Sequence, residues 1–348
     1  MVATMQISVV IPVYNAADFV RDAVESALIQ PETEEVILVE DGSTDSSLTV
    51  CQALAEMYSR IHLYRHTDGN NHGSGATRNL AIERSTCPYV AFLDADDFFL
   101  PGRFTCARAL FEEYPDIDGV YEAIGTHFEN EAARQQWRAA GMETYGPDLT
   151  TMVEVVPPEQ LFDALVRGKQ GYFSGDGLVV KRTTFEKSGL FNERLLFYQD
   201  TEMWIRMAAV AKLVPGRLDR PVTMRRVHAH NRLAARQSSA VRRTYLVMMW
   251  QILWQWSVQN MDSGRQEIVF RAFLKELLRP YRDDPVGLRH ARSVARLTAL
   301  PLKHPGLLRT SYFWWQYLER FLWSVGLSSL IPSFSDLRRR VALNRRSG

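Results

Sequence analysis

Four short apolar runs constrain this chain more than any other feature. Ile7 to Val13 (ISVVIPV), Glu35 to Val39 (EVILV), Ile61 to Arg65 and Tyr89 to Leu93 (YVAFL) are each about strand length and rich in β-branched residues. Such runs suit strands buried on both faces of a parallel sheet. Helical patterns fill the gaps: Asp18 to Leu28, a stretch from the Ser43–Asp45 cap to Ser59, and Gly75 to Ser85. Strand and helix alternating at this interval predict a βαβ series, and so an α/β fold with a mostly parallel sheet.

Beyond Pro101 the rhythm changes. Residues 119–128 read as one strand and 129–155 as an irregular polar loop. A helix is expected over 158–166, a strand over 178–182 and a helix over 201–211. From about Arg236 the pattern is helical, broken at Gly264, Pro280, Pro285, Pro301 and Pro305, and six of the eight tryptophans lie there. The expected division is a domain over 1–236 and a helical region over 237–348. The formal charge of +1 hides a gradient: residues 1–120 carry 7 basic and 19 acidic side chains, and residues 238–348 carry 18 and 7.

In an open α/β sheet, ligands bind outside the carboxyl ends of the strands. Here the second strand runs into Glu40-Asp41-Gly42-Ser43 and the fourth into Asp94-Ala95-Asp96-Asp97. Five carboxylates converging there would repel one another, and a divalent cation is the simplest way to hold them. Asp94 and Asp96, at i and i+2, project to one side of an extended backbone, which suits oxygen ligation of a hard cation. The plainer alternative, acidic caps of helices and turns, fits Glu40–Asp41 better than it fits three carboxylates directly after an apolar strand. A dinucleotide fold would need GxGxxG after the first strand, where this chain has Pro12-Val13-Tyr14-Asn15-Ala16, and no GxxxxGK[ST] occurs. A glycosidase has no need of a dense aspartate cluster with a metal.

Taken together, VVIPVYNA (9–16), EDGSTD (40–45), GATRN (75–79) and FLDADD (92–97) resemble the inverting family 2 glycosyltransferases. The likeness continues through Gly189-Leu190-Phe191-Asn192-Glu193, Gln199 to Arg206 and Arg226 to Asn231. It implies the GT-A fold, a nucleotide-binding αβα sandwich. It implies transfer of a sugar from a nucleotide-diphosphate donor, most commonly a UDP-sugar, to a hydroxyl of a glycan or glycolipid acceptor, with Mn²⁺ or Mg²⁺ as cofactor. By the same resemblance, Pro12, Val13, Tyr14 and Asn15 hold the nucleoside and Asp41 faces the base. Asp94 lies near the ribose, with Ala95 beside it, and Asp96 binds the metal. Arg78 reaches the pyrophosphate or ribose, or is an exposed helix arginine. Asp200 matches the aspartate that serves as base, and Gln199 stands where the family has glutamate. His228 completes the metal shell in some members, and His230 follows two residues on. Asp176, in Ser174-Gly175-Asp176-Gly177, is a candidate for the acceptor side from position alone. A catalytically idle nucleotide-sugar binder or scaffold on the same fold is the alternative function.

The C-terminal third lies outside the resemblance. Tyr312 to Trp323 is aromatic and amphipathic, and Arg338-Arg339-Arg340 with Arg345-Arg346 is basic. Such a pairing can lie on an anionic membrane surface, or be a packed helical cap with a solvated tail. No recognition motif accompanies the charge, so nucleic acid is not an expected partner. Cys51, Cys87 and Cys106 are odd in number with no CxxC, which argues for a reducing compartment. No Lys or Arg precedes the first apolar run, and no window holds about 20 consecutive apolar residues, so neither a signal peptide nor a spanning helix is expected. The expected location is cytoplasmic, with peripheral attachment to the inner face of the membrane as an option.

Overall fold

The computed structural model describes residues 5–139, 149–228 and 239–279, and beyond them residues 295, 297, 298, 314, 317 and 318. The chain divides into two compact units, Met1–Ala272 and Phe273–Gly348. Everything described below lies in the first.

The sheet opens with β1 (Ile7–Val13), β2 (Thr33–Glu40), β3 (Ile61–Arg65) and β4 (Tyr89–Phe92), separated by α1 (Val20–Leu28), α2 (Ser47–Met57) and α3 (Ser74–Arg84). Next come β5 (Phe98–Phe99), α4 (Thr105–Glu113), β6 (Gly119–Tyr121), β7 (Ile124–Phe128), α5 (Glu131–Ala139), β8 (Leu149–Thr150) and α6 (Pro158–Arg167). The unit continues through β9 (Leu178–Lys181), α7 (Thr184–Ser188), α8 (Gln199–Val210), β10 (Leu213–Pro215) and β11 (Thr223–Val227) to α9 (Ser239–Asn260).

Seven strands form the main sheet in the order β10-β6-β9-β4-β1-β2-β3. β1 pairs in parallel with both β2 and β4, β2 with β3, and β10 with β6, while β9 runs antiparallel between β4 and β6. Every residue of β1 except Pro12 is buried, as continuous apolarity demands of a strand covered on both faces. The period of two divides its side chains: Ile7, Val9, Ile11 and Val13 join Val20, Ala23, Val24 and Ala27 of α1 in one cluster. The register sets Val13 beside Glu40, so β1 and β2 end together, and Phe92 beside Val10, so parallel β4 ends slightly earlier on the same side and all three following loops share one rim of the sheet.

The expected single strand over 119–128 is two strands. Glu122 and Ala123 break it, sending β6 into the main sheet and β7 into a second sheet of order β5-β11-β7-β8. Two buried features hold this crossing in place. Gly177 O accepts the Glu122 backbone N–H at 2.9 Å. Arg103, fully buried, donates to the equally buried Glu122 carboxylate at 3.0 Å. Its guanidinium lies 5.3 Å and 5.0 Å from the ring centroids of Phe99 and Phe104. The supposedly irregular stretch after 129 contains α5, whose Trp137 packs on Phe128 and Val227, and β8, which pairs with β7. Here a single aromatic anchor decided what a polar composition concealed.

α9 extends the first unit past residue 236: Phe197 meets Tyr245 ring to ring at 5.3 Å, and Arg206 stands over Trp256 at 6.0 Å. No helix among the described residues is long and apolar enough to cross a membrane. The expected boundary at 236, His230, and the basic tail lie outside the described residues, as does most of the aromatic stretch of 312–323.

Candidate active site

The rim formed by the ends of β1, β2 and β4 carries most of the residues singled out from the sequence. Past β1, Asn15 adopts φ 50°, a left-handed conformation that asparagine tolerates. Its Oδ1 accepts the Thr44 backbone N–H at 2.8 Å, and its own N–H donates to Ser43 Oγ at 3.0 Å, so the first two loops are laced together. Tyr14 stays exposed between buried Val13 and this tie.

Past β2, Glu40 and Asp41 are both buried. Burial alone would raise Glu40, but the Ser43 N–H at 2.5 Å and Arg65 at 2.7 Å hold it below its ordinary value. Asp41 accepts the backbone N–H groups of His72 at 2.7 Å and Gly73 at 2.9 Å, while His66 stands 3.6 Å away. The loop can cross so closely because residue 42 is glycine: a Cβ there would sit 2.7 Å from the Asn70 carbonyl carbon, and φ is +69°. Asp41 thus organises the segment that leads into α3, and each of its oxygens keeps a second lone pair.

Past β4, the turn Asp94–Asp97 closes on itself, with the Asp97 N–H donating to Asp94 O at 3.0 Å. Its side chains diverge. Asp94 is half-exposed and takes Arg78 Nη2 at 2.5 Å. The same guanidinium donates through Nη1 to Asp200 at 3.0 Å. The side chain of Arg78 is 8% exposed, against 42% for Asp94 and 45% for Asp200, so the arginine lies behind two carboxylates that face outward. Burial would favour a neutral Arg78, but Asp200, Asp94 and Asp176 outweigh it and push it above the ordinary arginine value.

Asp200 reaches this place because α8 is docked by Trp204, one turn later on the same face. Its ring lies 5.7 Å from both Phe92, the last residue of β4, and Phe191. Tyr198, at φ 63°, makes the turn into the helix. Gln199 turns inward and donates to Ser74 Oγ at 2.7 Å.

Asp96 points the other way. Its Oδ2 is 3.2 Å from His228 Nε2, at the end of β11. The short antiparallel pairing of β5 with β11 makes this meeting possible, since it sets Met224 opposite Phe98 directly after the aspartate turn. Arg226 then donates its N–H to Asp97 at 2.8 Å and its Nε to Asp96 O at 3.1 Å. Two adjacent ligands of a cation held at about 2.1 Å lie about 3 Å apart. The Asp96–His228 pair therefore has the spacing and the donor chemistry to hold a divalent ion.

A second acidic group sits deeper. One ligand oxygen from each of Asp94, Asp97 and Asp176 lies within 4.8 Å of the others. Burial, then the charges of Asp176, Asp96 and Asp94, raise Asp97 well above the ordinary carboxylate range. Burial and the charge of Asp94 push Asp176 up to about 7, against Arg225, Asp97 and Arg78. Arg225 is raised in turn: its own desolvation is outweighed by Asp97 and Asp176. This inner group already contains its counter-charge. Sequence reasoning missed Arg225 and the role of Asp97. The signal available was the alternation Arg225–Val227 on a strand and Arg226–His228 on its other face. Asp176 lies under the turn rather than on an open acceptor face, because it is buried and bonded to Asp94.

The family model described as Glycosyl transferase family 2 matches residues 8–188. The succinoglycan biosynthesis protein ExoU of Rhizobium meliloti (strain 1021) is 32% identical over 210 residues, which are 60% of this chain and 58% of that protein. The uncharacterized glycosyltransferase YibD of Escherichia coli (strain K12) is 42% identical over 157 residues, 43% of this chain and 44% of that protein. The matched stretch thus spans about half the length of these relatives. Among solved structures, S. aureus TarS 1-349 superposes with TM-score 0.59 at 15% identity, over 93% of this chain and 90% of that one. The same protein in complex with UDP-GlcNAc gives 0.54 at 16%, over 94% and 82%. At such identity the likeness concerns the fold.

Proposed function

The chain belongs to glycosyl transferase family 2, and we propose that it transfers a sugar from a nucleotide-diphosphate donor, a UDP-sugar, to a hydroxyl of a growing glycan, with inversion at the anomeric carbon. One observation carries this reading: Arg78 joins Asp94, on the donor-side turn, to Asp200 at the head of α8. A carboxylate for the donor and a carboxylate for proton removal are thereby held side by side, both open to solvent.

In this reading Pro12 to Asn15 and the loop organised by Asp41 receive the nucleoside, and Asp94 with Ala95 meets the ribose. Asp200 accepts the proton of the attacking hydroxyl as the bond to the anomeric carbon forms and the bond to the diphosphate oxygen breaks. Arg78 orients that carboxylate and adds positive charge beside the donor. Asp96 and His228 would hold a divalent cation, Mn²⁺ or Mg²⁺, which neutralises charge on the leaving diphosphate when bound. The crystal structure of TarS with UDP-GlcNAc and the relative in succinoglycan biosynthesis support a nucleotide-sugar donor and a surface-glycan acceptor. Residues 1–236 form the proposed catalytic domain, acting in the cytoplasm or at the inner membrane face.

Thermal stabilisation across a panel of nucleotide sugars with Mn²⁺, followed by nucleoside-diphosphate release, tests the reading. Stabilisation by UDP-sugars with turnover is expected. Stabilisation without release for any acceptor tried would favour an idle nucleotide-sugar binder.

A further inference from the structure

Asp176 occupies the short turn Gly175–Gly177, directly beneath the aspartate turn. Its Oδ1 accepts the backbone N–H of Asp94 at 3.0 Å, and Oδ2 accepts the Ser174 hydroxyl at 3.3 Å. Its backbone carbonyl accepts the Thr223 hydroxyl of β11 at 2.8 Å, and a side-chain hydrogen bond joins it to Asp97. The carboxylate fits under the turn because residue 177 is glycine. A Cβ at that position would lie 2.2 Å from Glu122 O, so any other residue would push the segment outward.

The need for such a support follows from where β4 ends. The last ladder-like bond is Leu93 N–H to Val10 O at 3.0 Å, and Asp94 is one residue past it. The Asp97-to-Asp94 bond closes the turn on itself but does not attach it to the sheet. Arg226 ties the far end of the turn, through its N–H to the Asp97 carboxylate and its Nε to Asp96 O, and Asp176 ties the near end by accepting the N–H of Asp94. A part-buried amide left without a partner would be costly, and a carboxyl oxygen of Asp176 accepts it in either protonation state.

We propose that Asp176 is a positioning residue for donor binding: it fixes the main chain of Asp94 from beneath, so that the turn presents Asp94 and Asp96 to a nucleoside diphosphate. The inference rests on the donor reading given above and deepens it.

The test is calorimetric titration of the full chain with UDP and Mn²⁺, alongside melting curves. D176A is expected to weaken UDP binding about tenfold, the loss that one unmade hydrogen bond represents. D176N is expected to stay within about threefold of the wild type, since its amide oxygen can accept the same N–H and its NH₂ can donate to Asp97. T223V loosens the same turn through the carbonyl alone, and is expected to lower the Tm while UDP affinity stays within about threefold. A purely structural role would instead make affinity track Tm across all three variants, which overturns the proposal. So does a folded D176N that has lost UDP binding, whether or not D176A folds. Wild-type protein that binds no UDP overturns the donor reading itself, whereas equal binding by wild type and D176A overturns this inference alone.

Discussion

Arg78 and Asp200 lie 122 residues apart in the chain and 3.0 Å apart in the fold, with the second Nη of the same guanidinium on Asp94. A buried arginine that serves two outward-facing carboxylates fixes their separation, and the proposed donor and base are set by that one side chain.

Replacing Arg78 should therefore affect turnover more than donor affinity. R78K supplies a point charge that can serve one carboxylate well but not both in fork geometry. Its kcat should fall about tenfold, and that of R78A about a hundredfold, on the scale of lost orientation and charge. Steady-state nucleoside-diphosphate release against donor concentration separates kcat from KM. A rise in KM alone would place Arg78 on the donor and not on the base.

The Asp96–His228 pair makes a separate prediction. D96A should abolish the rise in Tm that UDP gains from added Mn²⁺, and H228A should reduce it without removing the stabilisation by UDP alone. Melting curves with and without Mn²⁺ and chelator read this directly. An unchanged Mn²⁺ response in D96A would move the cation to other residues.

The buried Arg103–Glu122 pair is structural, and stability should show it. R103M strands a carboxylate in the core and should cost about 3–5 kcal/mol, whereas R103M/E122L removes both charges and should recover most of that loss. Urea denaturation of the single and double variants checks the expectation.

Asp176 also carries a pH signature. Folded, it titrates at about 7; in the unfolded chain an aspartate titrates at about 3.9. Between those values the native protein holds a proton that the unfolded chain has released, so this group's contribution to stability is full below about pH 4 and declines as pH rises through 7. D176N lacks the group, and the stability of wild type relative to D176N should therefore fall across pH 4 to 7. Chemical denaturation at several pH values measures the difference. A flat difference would mean that the proton is not held there.

The strands, the helices between them and the acidic rim were legible because each rests on local pattern. ISVVIPV is apolar but for Ser8 and YVAFL is apolar throughout, and Asp-Ala-Asp-Asp follows the latter at once. What escaped was non-local. Nothing in the run 119–128 announces that Glu122 marks a crossing between sheets, because the cause is an ion pair with Arg103, distant in sequence and buried in the fold. α5 looked like loop because its sequence is polar and its docking depends on Trp137 meeting Phe128. Arg225 and Asp176 were missed as partners for the same reason: their pairing exists only once β11 and the Gly175–Gly177 turn pack beneath the aspartates.

The central claim is that Asp200 takes the proton from the acceptor. The most direct measurement is turnover of D200N with the UDP-sugar that best stabilises the wild type, together with UDP affinity of the same variant. The account predicts UDP binding within about threefold of wild type and sugar transfer lowered about a thousandfold, the scale of a removed general base. Transfer by D200N at the wild-type rate would contradict it.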